Sequence, residues 1–274
     1  MLSPVAPPSV TSLETFYRNF CAQAIEISPD AQSLHRTAMR QPGVYFTLDA
    51  PFVKIIGLYS NALEDPGVIS SEEGLHPNGE KYPAVPEYQL AFLHAQLQRI
   101  KDENYDGCVL LAVHHPPFSY AAPADPNRPG TSPGLHGGSP LMLRQIDEIC
   151  HETGVYLHAF LSGHAHNYQR YTRTVRLNGS GYDVPFIICG SGGHAVNTIV
   201  NGRTPRPPFR SRVDHMEPGL ILEKYNDLNY GYLRITVDSQ NLRIAFHNAQ
   251  SESLHQSEFD AVTVALGSHS MIAN

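Results

Sequence analysis

Three histidines, His114, His164 and His166, stand where two apolar runs of the chain end. CVLLAV at 108–113 leads into His114-His115-Pro116-Pro117, and VYLHAFL at 155–161 leads into Ser162-Gly163-His164-Ala165-His166. Imidazole is a good ligand for zinc, iron and manganese-class ions. His164 and His166 have one residue between them, so both rings can be aimed at neighbouring points, and Gly163 allows a sharp backbone turn. Such a pair suits a site in which each ring serves one of two metals. A histidine inside a strand, such as His158, is more often a hydrogen-bonded core residue than a ligand.

The elements that must position these residues follow from periodicity. A continuous apolar run such as 108–113 is the pattern of a strand buried on both faces. Residues 44–50 and 52–60 read as strands. Leu90, Phe92, Leu93, Leu97 and Ile100 fall on one face of a helix over 86–103. Ser139 and Pro140 begin a second helix in cap and first-turn positions, carrying Leu141, Leu143, Ile146 and Ile149. Thr11 and Glu14 form a capping box for a short helix over about 12–24. The stretch 61–85 is rich in Pro and Gly and reads as loop. Further strands are expected at about 170–177, 183–189, 219–225, 230–237, 241–247 and 259–266, with Asn178-Gly179 in the first turn and an irregular Pro- and Arg-rich segment over 200–218. Alternating strands and helices followed by a run of strands predict an α/β domain with a mixed sheet or two packed sheets and helices outside. Ligands gather at the carboxyl ends of strands in such sheets, which brings the two histidine loops side by side.

With 274 residues the chain is long enough for a sizeable core. A net charge of −7 and the lack of a basic block argue against nucleic acid or an acidic membrane surface as the main partner. Cys21, Cys108, Cys150 and Cys189 are far apart and form no CxxC pair, so buried thiols are expected rather than a zinc ribbon or a disulfide framework. There is no stretch of about 18 apolar residues that would span a membrane. MLSPVAPPSV lacks the basic start and apolar core of a signal peptide, which leaves the cytoplasm as the default compartment.

VLLAVHHPPF, followed some way on by LSGHAHNYQR, resembles the calcineurin-like metallophosphoesterase family, which includes purple acid phosphatases. The helix between them and GSGG at 190–193 also fit, and the resemblance covers roughly residues 12–200. It implies a two-sheet β-sandwich flanked by helices and a phosphoric-ester hydrolase with a dinuclear centre of Fe, Mn or Zn. His114 matches the histidine of the family's H-x-P motif and His164 the first of G-H-x-H, both holding one metal, and His166 would hold the other. The two metals would bind the phosphate ester, activate a water and stabilise the leaving oxygen. His136 in GLHGGSP falls roughly where some members place a histidine that protonates the leaving group, and His115 would hydrogen-bond phosphate. For both, an ordinary loop histidine is the plainer alternative.

The sequence also departs from the family. It contains no D-x-H, no Gly-Asp dipeptide and no Asn-His pair, whereas the family's first half carries D-x-H, G-D-x-x-D and G-N-H-D/E. TSLETFYRNFCA resembles the segment that follows the last of these. The expectation is a single domain over 1–274, incomplete at its N-terminal part, with its core at about 12–200 and C-terminal strands at about 219–266. Without the bridging carboxylate, this chain is expected to bind one metal at most. Asp49 is a poor substitute, since a probable strand turn explains it equally well. An exposed sheet edge would call for a partner chain or a homo-oligomer. The alternative to a hydrolase is a non-catalytic binding or interaction module on the same scaffold. Neither H-E-x-x-H nor G-x-S-x-G occurs, which removes support for a zinc peptidase or a serine hydrolase. Arg203, Arg206, Arg210 and Arg212 could draw a phosphorylated substrate, although a solvated loop is the simpler reading.

Overall fold

A computed structural model describes residues 38–40, 44–61, 67–71, 74–75, 81–82, 84–120, 138–193, 195–200, 205–249 and 258–272. The expected helix at 12–24, Cys21 and Arg203 lie outside the described residues. In chain order the elements are β1 (Ala38–Arg40), β2 (Phe46–Ala50), β3 (Val53–Leu58), β4 (Gly74–Leu75), β5 (Lys81–Tyr82), α1 (Tyr88–Asp102), β6 (Cys108–Val113), α2 (Pro140–Thr153) and β7 (Ala159–Ser162). They continue with β8 (Tyr168–Leu177), β9 (Ser180–Cys189), β10 (Ser211–Arg212), β11 (Ile221–Asn226), β12 (Gly231–Val237), β13 (Asn241–Asn248), β14 (Glu258–Ala265) and β15 (Ser270–Ile272).

The strands form a nine-stranded sheet in the order β1-β2-β3-β6-β7-β9-β8-β11-β10 and a four-stranded sheet β12-β13-β14-β15, with β4 and β5 paired apart. The parallel pairs among the described strands are β3 with β6, β6 with β7 and β7 with β9. The apolar run of β6 is explained by its two neighbours. Val109, Leu111 and Val113 pack with Leu93, Leu97 and Ile100 of α1 and Met142, Leu143 and Ile146 of α2. Cys108 and Leu110 face the other way, into Leu242, Ile244, Phe246, Val262 and Val264 of the smaller sheet. Period-two alternation thus serves two cores at once.

The helix-flanked α/β sandwich expected from the sequence is overturned. The described residues hold two helices against fifteen strands, and both helices cover the same face of the large sheet. The outer face of the small sheet carries Tyr232, Arg234, Thr236 and Arg243 rather than a helix-packing surface. The cause is connectivity. After β7 the chain advances by antiparallel hairpins, β8 with β9 and then β12 through β15, and a hairpin needs no crossover helix. Asn178 and Gly179 make the first of these turns, with φ of 51° and 82°.

The segment over 61–85, expected as loop, contains the paired strands β4 and β5, while the signals at the ends of α2 are met in part. Pro140 opens α2, and Gly154 closes it in the left-handed conformation. Ser139 makes no side-chain cap; its hydroxyl donates instead to the Gly67 carbonyl at 2.6 Å. No described helix is long and apolar enough to cross a membrane. Cys108 and Cys150 are buried and Cys189 half-buried, all as free thiols, and burial pushes Cys108 up to about 12 and Cys189 up to about 11.

Candidate metal site

β6 and β7 are parallel neighbours with Val113 opposite Ser162, so the loops that follow them leave the sheet together. The Gly163 N–H donates to the His114 carbonyl at 3.0 Å, which ties one loop to the other. His114 Nε2 and His164 Nδ1 lie 3.1 Å apart and share a hydrogen. Two imidazole nitrogens this close could hold one ion between them. The left-handed residue of the turn is His164 itself, with φ of 61°, and not Gly163. Gly190 lets the next loop close over this turn, since a Cβ there would meet the Ala165 carbonyl oxygen at 2.1 Å.

His115 joins the same cluster from the inside. It is 2% exposed, its Nδ1 lies 2.8 Å from Ser60 Oγ, and its ring centroid is 4.1 Å from that of His164. One ring nitrogen from each of His114, His115 and His164 falls within 4.8 Å of the others. His166 is not in that close group. Its Nδ1 sits 3.4 Å from Asn197 Nδ2, and its carbonyl accepts the Asn197 N–H at 2.8 Å. It is near enough to act on His114, whose pKa is lowered first by burial and then by His164 and His166. A neutral His114 keeps a lone pair available to a cation. No carboxylate joins the close group among the described residues. His136 lies outside the described residues.

The remaining candidates fall away from the site. Asp49 forms a two-point ion pair with Arg99 at 2.9 and 3.2 Å. Burial opposes its ionisation, but Arg99 and Lys54 outweigh that and lower its pKa. Arg206 is held 2.6 Å from buried Asp227, and Arg212 pairs with Asp214 at 3.1 Å. His158 is a satisfied core residue: Val109 N–H donates to its Nδ1 and its Nε2–H donates to the Leu266 carbonyl. The NYQR segment after His166 is structural too. Tyr168 and Arg170 both donate to Asp260, joining the two sheets, and Gln169 donates to Asn167 and Ser119.

Sequence reasoning gave no role to Ser60, Gly67 and Asn197, which contact the histidines, and noted Gly190 only as part of the GSGG run. Only the glycines carried a signal, as glycines beside a proline or in a GSGG run.

An open cavity of about 520 Å³ adjoins His114, walled by Leu58, Ala112, Leu161, Tyr232 and Leu233. No protein-family model and no curated protein matches the chain. Solved structures do match it, among them PhoD, at a TM-score of 0.53 and 12% identity over 84% of this chain and 44% of that chain. The chain therefore spans less than half the length of PhoD, and what the two are shown to share is a fold.

Proposed function

We propose that this chain is a metal-dependent phosphoester hydrolase domain whose ion is held first by His114 and His164. The carrying observation is the 3.1 Å approach of His114 Nε2 to His164 Nδ1 at the carboxyl ends of adjacent parallel strands. A divalent ion held there would supply Lewis-acid polarisation of a phosphoryl oxygen. The donor set fits such an ion: imidazole nitrogens partly open to solvent, with His114 shifted towards its neutral form by burial and lining an open cavity. His166, steadied by Asn197, is the residue we assign to a second ion or to the bound phosphate. The fold shared with PhoD and the resemblance to calcineurin-like phosphoesterases support the same reading.

The all-imidazole character of the close group favours one ion over two, because two neighbouring dications need a bridging anion. It also favours a second reading, a metal-binding module without turnover. Calorimetric titration with zinc or manganese and turnover of bis-p-nitrophenyl phosphate, on the parent chain and on a His114→Ala, His164→Ala double variant, separate these. The expected result is one ion bound by the parent and none by the variant. Metal-dependent turnover of the ester that vanishes in the variant supports the hydrolase, and binding without turnover supports the module. Equal binding in parent and variant overturns both.

A further inference from the structure

His115 is buried against the site, although the motif resemblance gives it no metal. Its Nδ1 is engaged by Ser60 Oγ at 2.8 Å, and the same oxygen accepts the His115 backbone N–H at 3.1 Å. Ser60 is itself fully buried. On the other side Gly67 gives the ring its place, because a Cβ at 67 would lie 2.2 Å from His115 Cγ. The ring is thus held in its plane by groups outside the cluster, and Ser60 Oγ can accept a proton carried on Nδ1. Metal-bound histidines are commonly fixed in this way, with one nitrogen on the ion and the other on a hydrogen-bond partner.

We infer that His115 is a third metal ligand, through Nε2, and that Ser60 is its positioning residue, giving a three-imidazole site for one zinc-like ion. This rests on the metal reading above but adds to it a ligand and an orienting hydroxyl. One nitrogen from each of the three rings already lies within 4.8 Å of the others, and sharing one ion would draw them closer. Three protein ligands with a fourth position open is the arrangement of hydrolytic rather than structural zinc. It also accounts for the cluster's lack of carboxylate, since one dication with three neutral ligands needs no bridging anion.

The test is cobalt(II) titration followed by visible absorption, with zinc affinity from competition against a chelating dye. The parent chain is compared with His164→Ala, His115→Ala and Ser60→Ala, each checked for folding by circular dichroism. His115→Ala is expected to lose the strong visible bands of four-coordinate cobalt, as His164→Ala does. Ser60→Ala, which leaves every ligand in place, is expected to weaken zinc by about 10- to 100-fold and to shift the cobalt bands. If His115→Ala does not fold, Ser60→Ala decides alone. Loss of binding in His164→Ala with parental affinity and spectrum in His115→Ala or Ser60→Ala overturns this inference and leaves the metal reading standing. A parent chain that binds no cobalt or zinc overturns the metal reading itself.

Discussion

His158 should make this fold sensitive to mild acid. Its ring accepts the Val109 N–H at 3.0 Å on Nδ1, donates to the Leu266 carbonyl at 3.1 Å through Nε2, and stacks on His269 with centroids 3.8 Å apart. Only the neutral ring fits, because a proton on Nδ1 would face the Val109 N–H. Burial lowers its pKa from 6.5 to about 4, against a smaller opposing effect of the Leu266 carbonyl. Burial and then His158 lower His269 to about 3. The unfolded chain takes up these protons near the ordinary histidine value, so the folded chain binds fewer protons below it. Stability is complete above about pH 6.5 and falls as the pH drops towards about 4. For His158 alone the loss at pH 5 is about 2 kcal/mol, and His269 adds to it in the same direction. The assay is urea unfolding by circular dichroism at pH 7.5, 6 and 5, on the parent and on His158→Gln, whose amide can both accept and donate but does not titrate. The carboxylates contribute equally to both chains, so the difference reports His158 together with its effect on the stacked His269. The parent should lose about 2 kcal/mol more than the variant between pH 7.5 and 5. Parallel stability profiles in the two chains would refute the reasoning.

Two further outcomes follow from contacts around the site and the sheets. Asp227 accepts from Thr198 Oγ at 2.8 Å, Ile199 N–H at 3.0 Å and Arg206 Nη1 at 2.6 Å, and so anchors the segment that carries Asn197 to His166. Asp227→Ala should cost about 2 kcal/mol and shift the His166 ring resonances by NMR, and unchanged His166 signals would disconnect the two. β12 is an edge of the small sheet, and Ile235, on its core-facing side, is still 37% exposed. Ile235→Lys should reduce self-association in light scattering at high protein concentration, since charge on an edge blocks strand pairing. An unchanged particle size would show that association, if any, uses another surface.

What the sequence made legible was local or periodic. The double burial of β6, the stripe of Leu93, Leu97 and Ile100 on α1 and the Asn178-Gly179 turn each announce themselves within ten residues. So does the placement of His114 and His164 at strand ends. The layer arrangement was not legible, because a run of strands does not say whether crossover helices cover its outer face. Nor were the contacts that orient the histidines. Ser60 meets His115 across 55 positions of sequence, and nothing in LYSNA distinguishes that serine from a surface one. The sharp turn expected at Gly163 belongs to the next residue, since the tie from Gly163 N–H to His114 holds the glycine and passes the reversal on.

That displaced reversal has a consequence for how the chain can change. A histidine at φ of 61° is held in a conformation that glycine adopts freely, at a cost of about 1 kcal/mol. A screen that rewards thermal stability alone should therefore enrich His164→Gly, and the same clones should fail a screen for metal retention. Position 164 is where endurance and chemistry pull this sequence in opposite directions.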